Sequence, residues 1–160
     1  MTKKISVGIA DMKIARREGI VITYALGSCI GITFYDPMIK LTALLHIMLP
    51  EQSKINDGNV YKFADSGIRE TLRKFYAFGG MRGRTVCKIA GGAQMFQMKG
   101  GNGLGDIGKR NTQMVKKILA AEGLRIVAED TGSTYARTMQ IDAATGQVII
   151  HSAGRPDRTL

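Results

Sequence analysis

Four apolar runs in the first third of the chain most restrict how it can fold. They span residues 5–9, 20–26, 30–35 and 41–49, and polar or turn-forming residues separate them. Short apolar runs bounded in this way are typical of buried β-strands. Asp36-Pro37 predicts a tight turn between the third and fourth runs. The first third of the chain is therefore expected to be mostly strand.

Two later segments have helical periodicity. In residues 59–77, apolar side chains recur at spacings of three and four, and Gly79-Gly80 then stops the helix. A second helix is predicted from Asp106, as its N-cap, to Gly123. Four more strands are predicted, the last two as a hairpin: 85–90, 125–129, 135–142 and 147–151.

These elements predict an α/β (α+β) fold, a compact single-domain sandwich of mixed β-sheet with two main helices. The chain has 160 residues, of which 44% are hydrophobic, enough for a core without disulfides or metals. We expect one domain over residues 1–160, with short flexible ends at about 1–4 and 153–160. Two cysteines and no secretory leader predict a reducing, cytoplasmic location. No apolar stretch is long enough for membrane insertion.

The charge balance favours an acidic partner. Lys and Arg number 23 against 13 Asp and Glu, which gives a net charge of +10. The basic residues are dispersed in short groups, however, and aromatic residues are only 6% of the chain. Nucleic-acid binding is therefore not expected, because basic stripes and aromatic stacking platforms are both lacking.

Cys29 is the first candidate for chemistry. It directly follows Gly27-Ser28 at the abrupt end of the run 20–26, so its thiol is expected to be displayed. His46 lies within the run 41–49 and can reach the cysteine if the two runs pair. A neighbouring imidazole can take the thiol proton and leave a nucleophilic thiolate. Thr23, six positions before Cys29, is expected on the same face of the strand and is a candidate to hold the imidazole.

Simpler interpretations remain open for these residues. A free cysteine is most often a small buried apolar residue, and a lone histidine in a strand is most often a hydrogen-bonded core residue. No pair of Cys or His has metal-ligand spacing, so no metal site is expected. Residues 103–108 match a dinucleotide-binding fingerprint, but a dozen loop residues separate them from the preceding strand. No cofactor is therefore predicted.

A glycine-rich loop from Gly91 to Gly105 is a candidate rim for a substrate or partner. Glycine allows a close approach of backbone to a ligand. Gln94, Met95 and Phe96 add adaptable, largely apolar contacts within this loop. The polar segment 51–58, which follows the histidine strand, is the second candidate for this rim.

Several of these segments together resemble one family. Residues 23–29, then Asp36-Pro37, then His46 with Met48-Leu49-Pro50 resemble CheD, the chemoreceptor glutamine deamidases. Later blocks resemble the same family in the same order: 88–96, 107–111, 127–132 and 145–148. Each motif is short, but their ordered combination is specific and covers nearly the whole chain. One departure is Ser133, where the family pattern leads us to expect a glycine.

The resemblance implies a cysteine hydrolase that converts selected glutamine side chains of methyl-accepting chemotaxis receptors to glutamate and releases ammonia. By this match Cys29 is the nucleophile, His46 the general base and Thr23 the group that orients the histidine. Backbone N–H groups at the Gly27-Ser28 bend are expected to stabilise the oxyanion. The resemblance also implies a fold similar to bacterial toxin deamidases and, in some members, binding to a CheC-type phosphatase.

Two rival functions remain at this point. The protein can be a non-catalytic docking protein for chemoreceptors or for the CheC phosphatase, with a vestigial cysteine. Alternatively, the thiol can serve a protease or a transglutaminase, in which a peptide bond or an amine replaces the simple amide.

Overall fold

A computed structural model describes residues 3–52, 58–95 and 106–160. Within these ranges the chain forms ten strands and two α-helices. The strands are β1 (Lys4–Ser6), β2 (Asp11–Arg16), β3 (Ile20–Leu26), β4 (Ile30–Asp36), β5 (Leu41–Ile47), β6 (Val86–Gly91), β7 (Ile126–Thr131), β8 (Arg137–Asp142), β9 (Val148–His151) and β10 (Arg158–Thr159), and the helices are α1 (Ala64–Ala77) and α2 (Ile107–Ala121). Short 3-10 turns occur at Val60–Lys62 and Arg82–Arg84.

The strands form two mixed sheets of five. The first sheet has the order β1-β3-β8-β9-β10, and the second has the order β2-β5-β4-β6-β7. The pairs β1–β3 and β6–β7 are parallel, and the other neighbours are antiparallel. The predicted α+β sandwich of mixed sheet with two helices is thereby confirmed.

Two apolar clusters divide the fold into three layers. One cluster lies between the sheets and includes Val21, Leu44 and Met139. The other lies between the second sheet and the helices and includes Phe34, Leu72 and Val115. The second sheet is therefore covered on both faces, which explains why β4 and β5 are buried along their whole length and have nearly continuous apolar sequences.

The strand β2 corrects the sequence prediction, which left residues 11–16 without an assigned element. Met12 and Ala15 are buried, Lys13 and Arg16 are exposed, and the two other residues of the strand are intermediate, so burial does not follow a two-residue alternation. Among the described residues, β2 is an edge strand whose only strand partner is β5. Charged side chains on an edge strand discourage pairing with other chains, and here they also hid the apolar pattern.

Other boundaries also differ from prediction. The first run ends as a strand at Ser6 rather than at residue 9, and the helix predicted over 59–77 is divided. Phe63 is extended, between the 3-10 turn and the start of α1. Asp106 does occupy the N-cap position of α2, but its side chain makes no capping hydrogen bond and instead pairs with Arg110.

The predicted hairpin of β8 and β9 is confirmed, since these strands pair in antiparallel register. β10 was not predicted, and it adds an edge strand beside β9 within the segment 153–160. The predicted flexibility of the two ends stays a prediction. No helix within the described ranges is long and apolar enough to span a bilayer.

Candidate active site

Cys29 lies where the chain crosses from the first sheet to the second. β3 ends three residues before it, and β4 begins at the next residue. Two backbone hydrogen bonds from the end of β6 hold this turn. The Gly92 N–H donates to the Cys29 carbonyl at 2.9 Å, and the Ala93 N–H donates to the Gly27 carbonyl at 2.9 Å. The half-buried thiol is thus carried on a backbone fixed by a neighbouring strand.

The turn owes its direction to Ala25 rather than to Gly27. Ala25 has a φ of 56°, in the left-handed region, and the β3–β8 register shifts between Thr23 and Leu26. This irregularity is a β-bulge, which bends a strand and re-aims the residues after it. Gly27, where the sequence predicted the bend, does not have a positive φ. Its lack of a side chain matters because a Cβ there would lie 3.2 Å from Met95 Cγ.

His46 is fully buried in β5, directly opposite Gly31 of β4. Cys29 precedes Gly31 by two residues, so its side chain points to the same face of the sheet as His46. Such diagonal neighbours are typically about 7–8 Å apart at their backbones, and their side chains can meet. The nucleophile and base candidates are thus brought to one end of the β4–β5 pair.

Thr23 reaches His46 from the opposite sheet. Thr23 Oγ1 and His46 Nδ1 are 2.7 Å apart, and both residues are fully buried. The predicted hydrogen-bonding of the imidazole by Thr23 is therefore present, but for a different reason. The sequence analysis gave pairing of these two runs as the condition for contact, but β3 and β5 do not pair; they belong to different sheets and face each other across the sandwich interior.

A third contact determines which nitrogen of His46 carries the proton. The Thr23 hydroxyl donates to the Val7 carbonyl at 2.8 Å. Because a hydroxyl has only one hydrogen, Thr23 must accept the His46 bond, and Nδ1 must be the protonated nitrogen. Nε2 then holds a free lone pair. That atom is buried without a hydrogen-bond partner in the described part of the chain, which is the state a general base requires.

Burial favours the neutral forms of both Cys29 and His46. It lowers the pKa of His46 from 6.5 to about 4. Burial also raises the pKa of the Cys29 thiol, and a hydrogen bond from the cysteine's own backbone N–H opposes that effect. Both shifts disfavour the charged forms. The resting site therefore holds a thiol and a neutral imidazole rather than the preformed thiolate that the sequence pattern suggested.

Two of the predicted rim residues lie in the described chain beside this site. Gln94 and Met95 are exposed, and Met95 packs over Gly27. Gln94 also lines a cavity of about 390 Å³ with Gly92, Ser133 and residues of α2. Phe96 lies outside the described residues, as do 53–57 and most of the predicted glycine loop.

Exposed apolar side chains surround the same end of the sandwich. Tyr24 follows Thr23, Met48 lies two residues after His46, and Met95 covers Gly27; each is 42% exposed or more. Exposed large apolar residues gathered at one place mark binding surfaces more often than those scattered singly. Sequence analysis assigned no role to Tyr24 or Met48, since each reads as part of a strand.

Asn111 of α2 is a further residue beside the candidate site, and the sequence analysis assigned it no role. It is fully buried, and its side-chain amide donates to the Ser28 and Met48 carbonyls. The available signal was its place among the inward-facing positions of an amphipathic helix, where a polar residue needs a buried partner.

The described residues include no group of three His, Cys, Asp or Glu side chains arranged to hold a metal ion. The second cysteine, Cys87, is fully buried in the cluster beneath the helices. Burial raises its pKa to about 12, which makes it a poor nucleophile.

Known proteins with related sequences identify the family. The model of the family described as CheD chemotactic sensory transduction matches residues 48–152. A probable chemoreceptor glutamine deamidase CheD of Desulforamulus reducens is 46% identical over 98% of this chain and 95% of its own length. The chain belongs to the CheD family. Probable CheD deamidases of Lachnoclostridium phytofermentans and Pyrococcus abyssi are 40% and 44% identical, over 100% and 92% of this chain and 100% and 91% of their own lengths.

The family model covers only part of the candidate site, whereas a CheD relative covers all of it. The matched region begins at Met48, after Thr23, Cys29 and His46, and it includes Asn111. The CheD relative from L. phytofermentans covers the whole chain, including the segment that carries the thiol. The predicted family resemblance is confirmed over the full length.

Proposed function

We propose that this protein deamidates glutamine side chains of chemoreceptors, with Cys29 as the nucleophile, His46 as the general base and Thr23 as the residue that orients the base. The observation that carries the proposal is the chain of hydrogen bonds from His46 Nδ1 to Thr23 and from Thr23 to the Val7 carbonyl. It leaves Nε2 unprotonated at the end of the strand pair where the thiol lies. The printed names of the relatives supply the substrate class.

The first half of the reaction forms a thioester. Cys29 Sγ attacks the side-chain carbonyl carbon of the glutamine while His46 Nε2 takes the thiol proton, which gives a tetrahedral oxyanion. The Ser28 and Cys29 N–H groups, at the turn after Gly27, are the proposed donors to that oxyanion. His46 then gives its proton to the departing nitrogen, and ammonia leaves as the carbon–nitrogen bond breaks.

The second half releases glutamate. Water attacks the thioester carbon and gives a proton to Nε2 of the same imidazole, and the carbon–sulfur bond breaks. The thiolate regains the proton from His46. Neutral resting groups suit this cycle, because the imidazolium forms only as the oxyanion forms and charge is buried only transiently.

The exposed apolar residues Tyr24, Met48 and Met95 form the proposed contact surface for the receptor segment that carries the glutamine. The net charge of +10 would attract an acidic receptor surface. The proposal includes a cytoplasmic location and, as a family expectation, binding to a CheC-type phosphatase, which co-purification of the two proteins tests.

The deciding experiment incubates the protein with cytoplasmic receptor fragments and maps glutamine-to-glutamate conversion by peptide mass spectrometry, together with ammonia release. Conversion is expected with the wild type and with Cys87→Ala, and none is expected with Cys29→Ala. Cys87 is the matched control because it is the other free thiol and lies in the helix-side core. Conversion by Cys29→Ala would refute the nucleophile assignment.

The same spectra separate the rival functions. Cleaved receptor chains would indicate a protease, and incorporation of an added amine would indicate a transglutaminase. Stable binding of receptor fragments without any conversion would indicate the docking protein.

A further inference from the structure

A buried amide on α2 connects the strand of the nucleophile with the strand of the base. Asn111 Nδ2 donates to the Ser28 carbonyl at 2.9 Å and to the Met48 carbonyl at 3.0 Å. Ser28 immediately precedes Cys29, and Met48 lies two residues after His46. The Asn111 Oδ1 atom has no hydrogen-bond partner within the described residues, so both of the amide's observed bonds come from its nitrogen.

The contact with Ser28 determines where the Cys29 N–H points. The peptide joining these residues is trans, and in a planar trans peptide the C=O and N–H groups point in opposite directions. Asn111 draws the carbonyl toward the helix layer. The Cys29 N–H is therefore turned to the opposite side, toward the face of the sheet where its own thiol lies.

Of the three carbonyls in this turn, the middle one depends on a side chain. The Gly27 and Cys29 carbonyls accept hydrogen bonds from the backbone of residues 92–93, whereas the Ser28 carbonyl accepts from Asn111. A substitution at Asn111 therefore frees one peptide plane and leaves the strand contacts on both sides of it.

We propose that Asn111 is a positioning residue for the deamidation, which holds the Ser28–Cys29 peptide so that the Cys29 N–H faces the developing oxyanion. This role rests on the proposed function. Asn111 touches neither substrate nor thiol in this arrangement; it acts through the backbone of the nucleophile. Its second bond, to Met48, keeps the end of β5 in register with the turn.

The expected effect follows from the value of an oxyanion donor. Removing one such donor typically lowers kcat by about 10²–10³. Asn111→Leu has a similar volume but cannot donate, so it loosens the peptide rather than removing its N–H. We expect kcat to fall by about 10- to 100-fold, with KM within about threefold, because the lost interaction is made mainly in the transition state.

The test compares two reactions of the same thiol. Alkylation of Cys29 by iodoacetamide needs a nucleophilic sulfur and forms no oxyanion, whereas deamidation needs both. Asn111→Leu should therefore lower the kcat for deamidation of receptor fragments while it leaves the alkylation rate within about twofold of wild type. If Asn111 only stabilises the fold, its replacement should lower the deamidation and alkylation rates together, or lower neither rate when only folded protein is measured.

Tyr35→Phe is the matched control. The Tyr35 hydroxyl is a buried side-chain donor to a backbone carbonyl, that of Ala143, and it lies six residues along the same chain segment from Cys29, roughly 20 Å in an extended strand. Its removal should lower Tm and leave kcat unchanged. If Asn111→Leu does not fold, Asn111→Ser, whose hydroxyl is too short to reach both carbonyls, must show the same separation of deamidation from alkylation.

The outcomes of these experiments test the positioning role of Asn111 separately from the deamidase function. Unchanged kcat in a folded Asn111 variant, or equal losses of deamidation and alkylation, would overturn the positioning role alone. A wild type that converts no glutamine under conditions where Cys29→Ala is equally inert would overturn the deamidase function, and the positioning role would fall with it.

Discussion

Protonation of His46 should destabilise the folded protein at mildly acidic pH. The imidazole is fully buried, and burial lowers its pKa from 6.5 to about 4. In the unfolded chain the same group titrates near its ordinary pKa. Between these two pH values the unfolded state binds a proton that the folded state does not. The free energy of unfolding must therefore fall as the pH falls through this window.

The magnitude follows from proton linkage. One proton bound only by the unfolded state changes the free energy of unfolding by about 1.4 kcal/mol per pH unit. The stabilisation is fully present above pH 6.5, and about 3 kcal/mol of it is lost by pH 4. Asp36, Glu70 and Glu129 have lowered pKa values, so the stability they contribute is lost in a more acidic range, below their ordinary pKa values of 3.8 to 4.5.

Urea unfolding between pH 5 and pH 7.5 isolates the histidine. His46→Asn is the paired variant, since an asparagine amide can still donate to Thr23 but does not titrate in this range. We expect the wild type to lose about 2 kcal/mol more than the variant between pH 7.5 and pH 5. His151 is present in both proteins and cancels in the comparison. Parallel pH dependence in the two proteins would refute the conclusion that His46 is neutral and desolvated.

Three other perturbations test the site. The rate of Cys29 alkylation should rise steadily with pH through pH 9 without a plateau near neutrality, since burial raises the thiol pKa, and mass spectrometry should find Cys87 unlabelled in the folded protein. Thr23→Val should lower the kcat for ammonia release by about 5- to 150-fold, the equivalent of about 1–3 kcal/mol for an unpaired buried Nδ1–H; an unaltered kcat would remove Thr23 from the mechanism. Met139→Ala, in the core between the sheets, should lower the free energy of unfolding in urea by about 2–5 kcal/mol and should also lower kcat. Leu72→Ala, in the helix-side core, should lower the free energy of unfolding by a similar amount and leave kcat unchanged. Equal kcat values in the two variants would contradict this expectation.

The sequence predicts best those strands whose apolar runs are continuous and end at turn signals. β3 is found at its predicted residues 20–26, and β4 differs from prediction by one residue, because continuous apolar runs between turn signals have few alternatives. β2 escaped prediction because three of its six residues, Asp11, Lys13 and Arg16, are charged and interrupt the apolar pattern. Its strand character comes from pairing with β5, a long-range contact that no local pattern records.

The sequence names the candidate site residues, but it does not predict their spatial relation. Cys29, His46 and Thr23 were selected by residue type and by family resemblance, whereas the sequence analysis assumed that the cysteine and threonine share a strand face. The left-handed Ala25 moves the chain to the other sheet before Cys29 is reached. Periodicity within a strand cannot foresee a crossing of this kind, since a bulge changes the alternation of side chains locally.

Two different layers of the fold thus control the two halves of the proposed chemistry. The base is set by packing between the sheets, because His46 stands on one sheet and its acceptor Thr23 on the other. The proposed oxyanion donor, the Cys29 N–H, is oriented from the helix layer, because Asn111 donates a hydrogen bond to the Ser28 carbonyl. Both contacts, that of Thr23 and that of Asn111, are necessary because Cys29 and His46 are neutral before the reaction. Because Cys29 is a neutral thiol before the reaction, proton transfer to His46 has to accompany attack on the substrate. The charges that then form on the imidazole and on the substrate oxygen are stabilised only by groups that are already in position. The cysteine on the short crossing between the sheets is the point where these two layers meet.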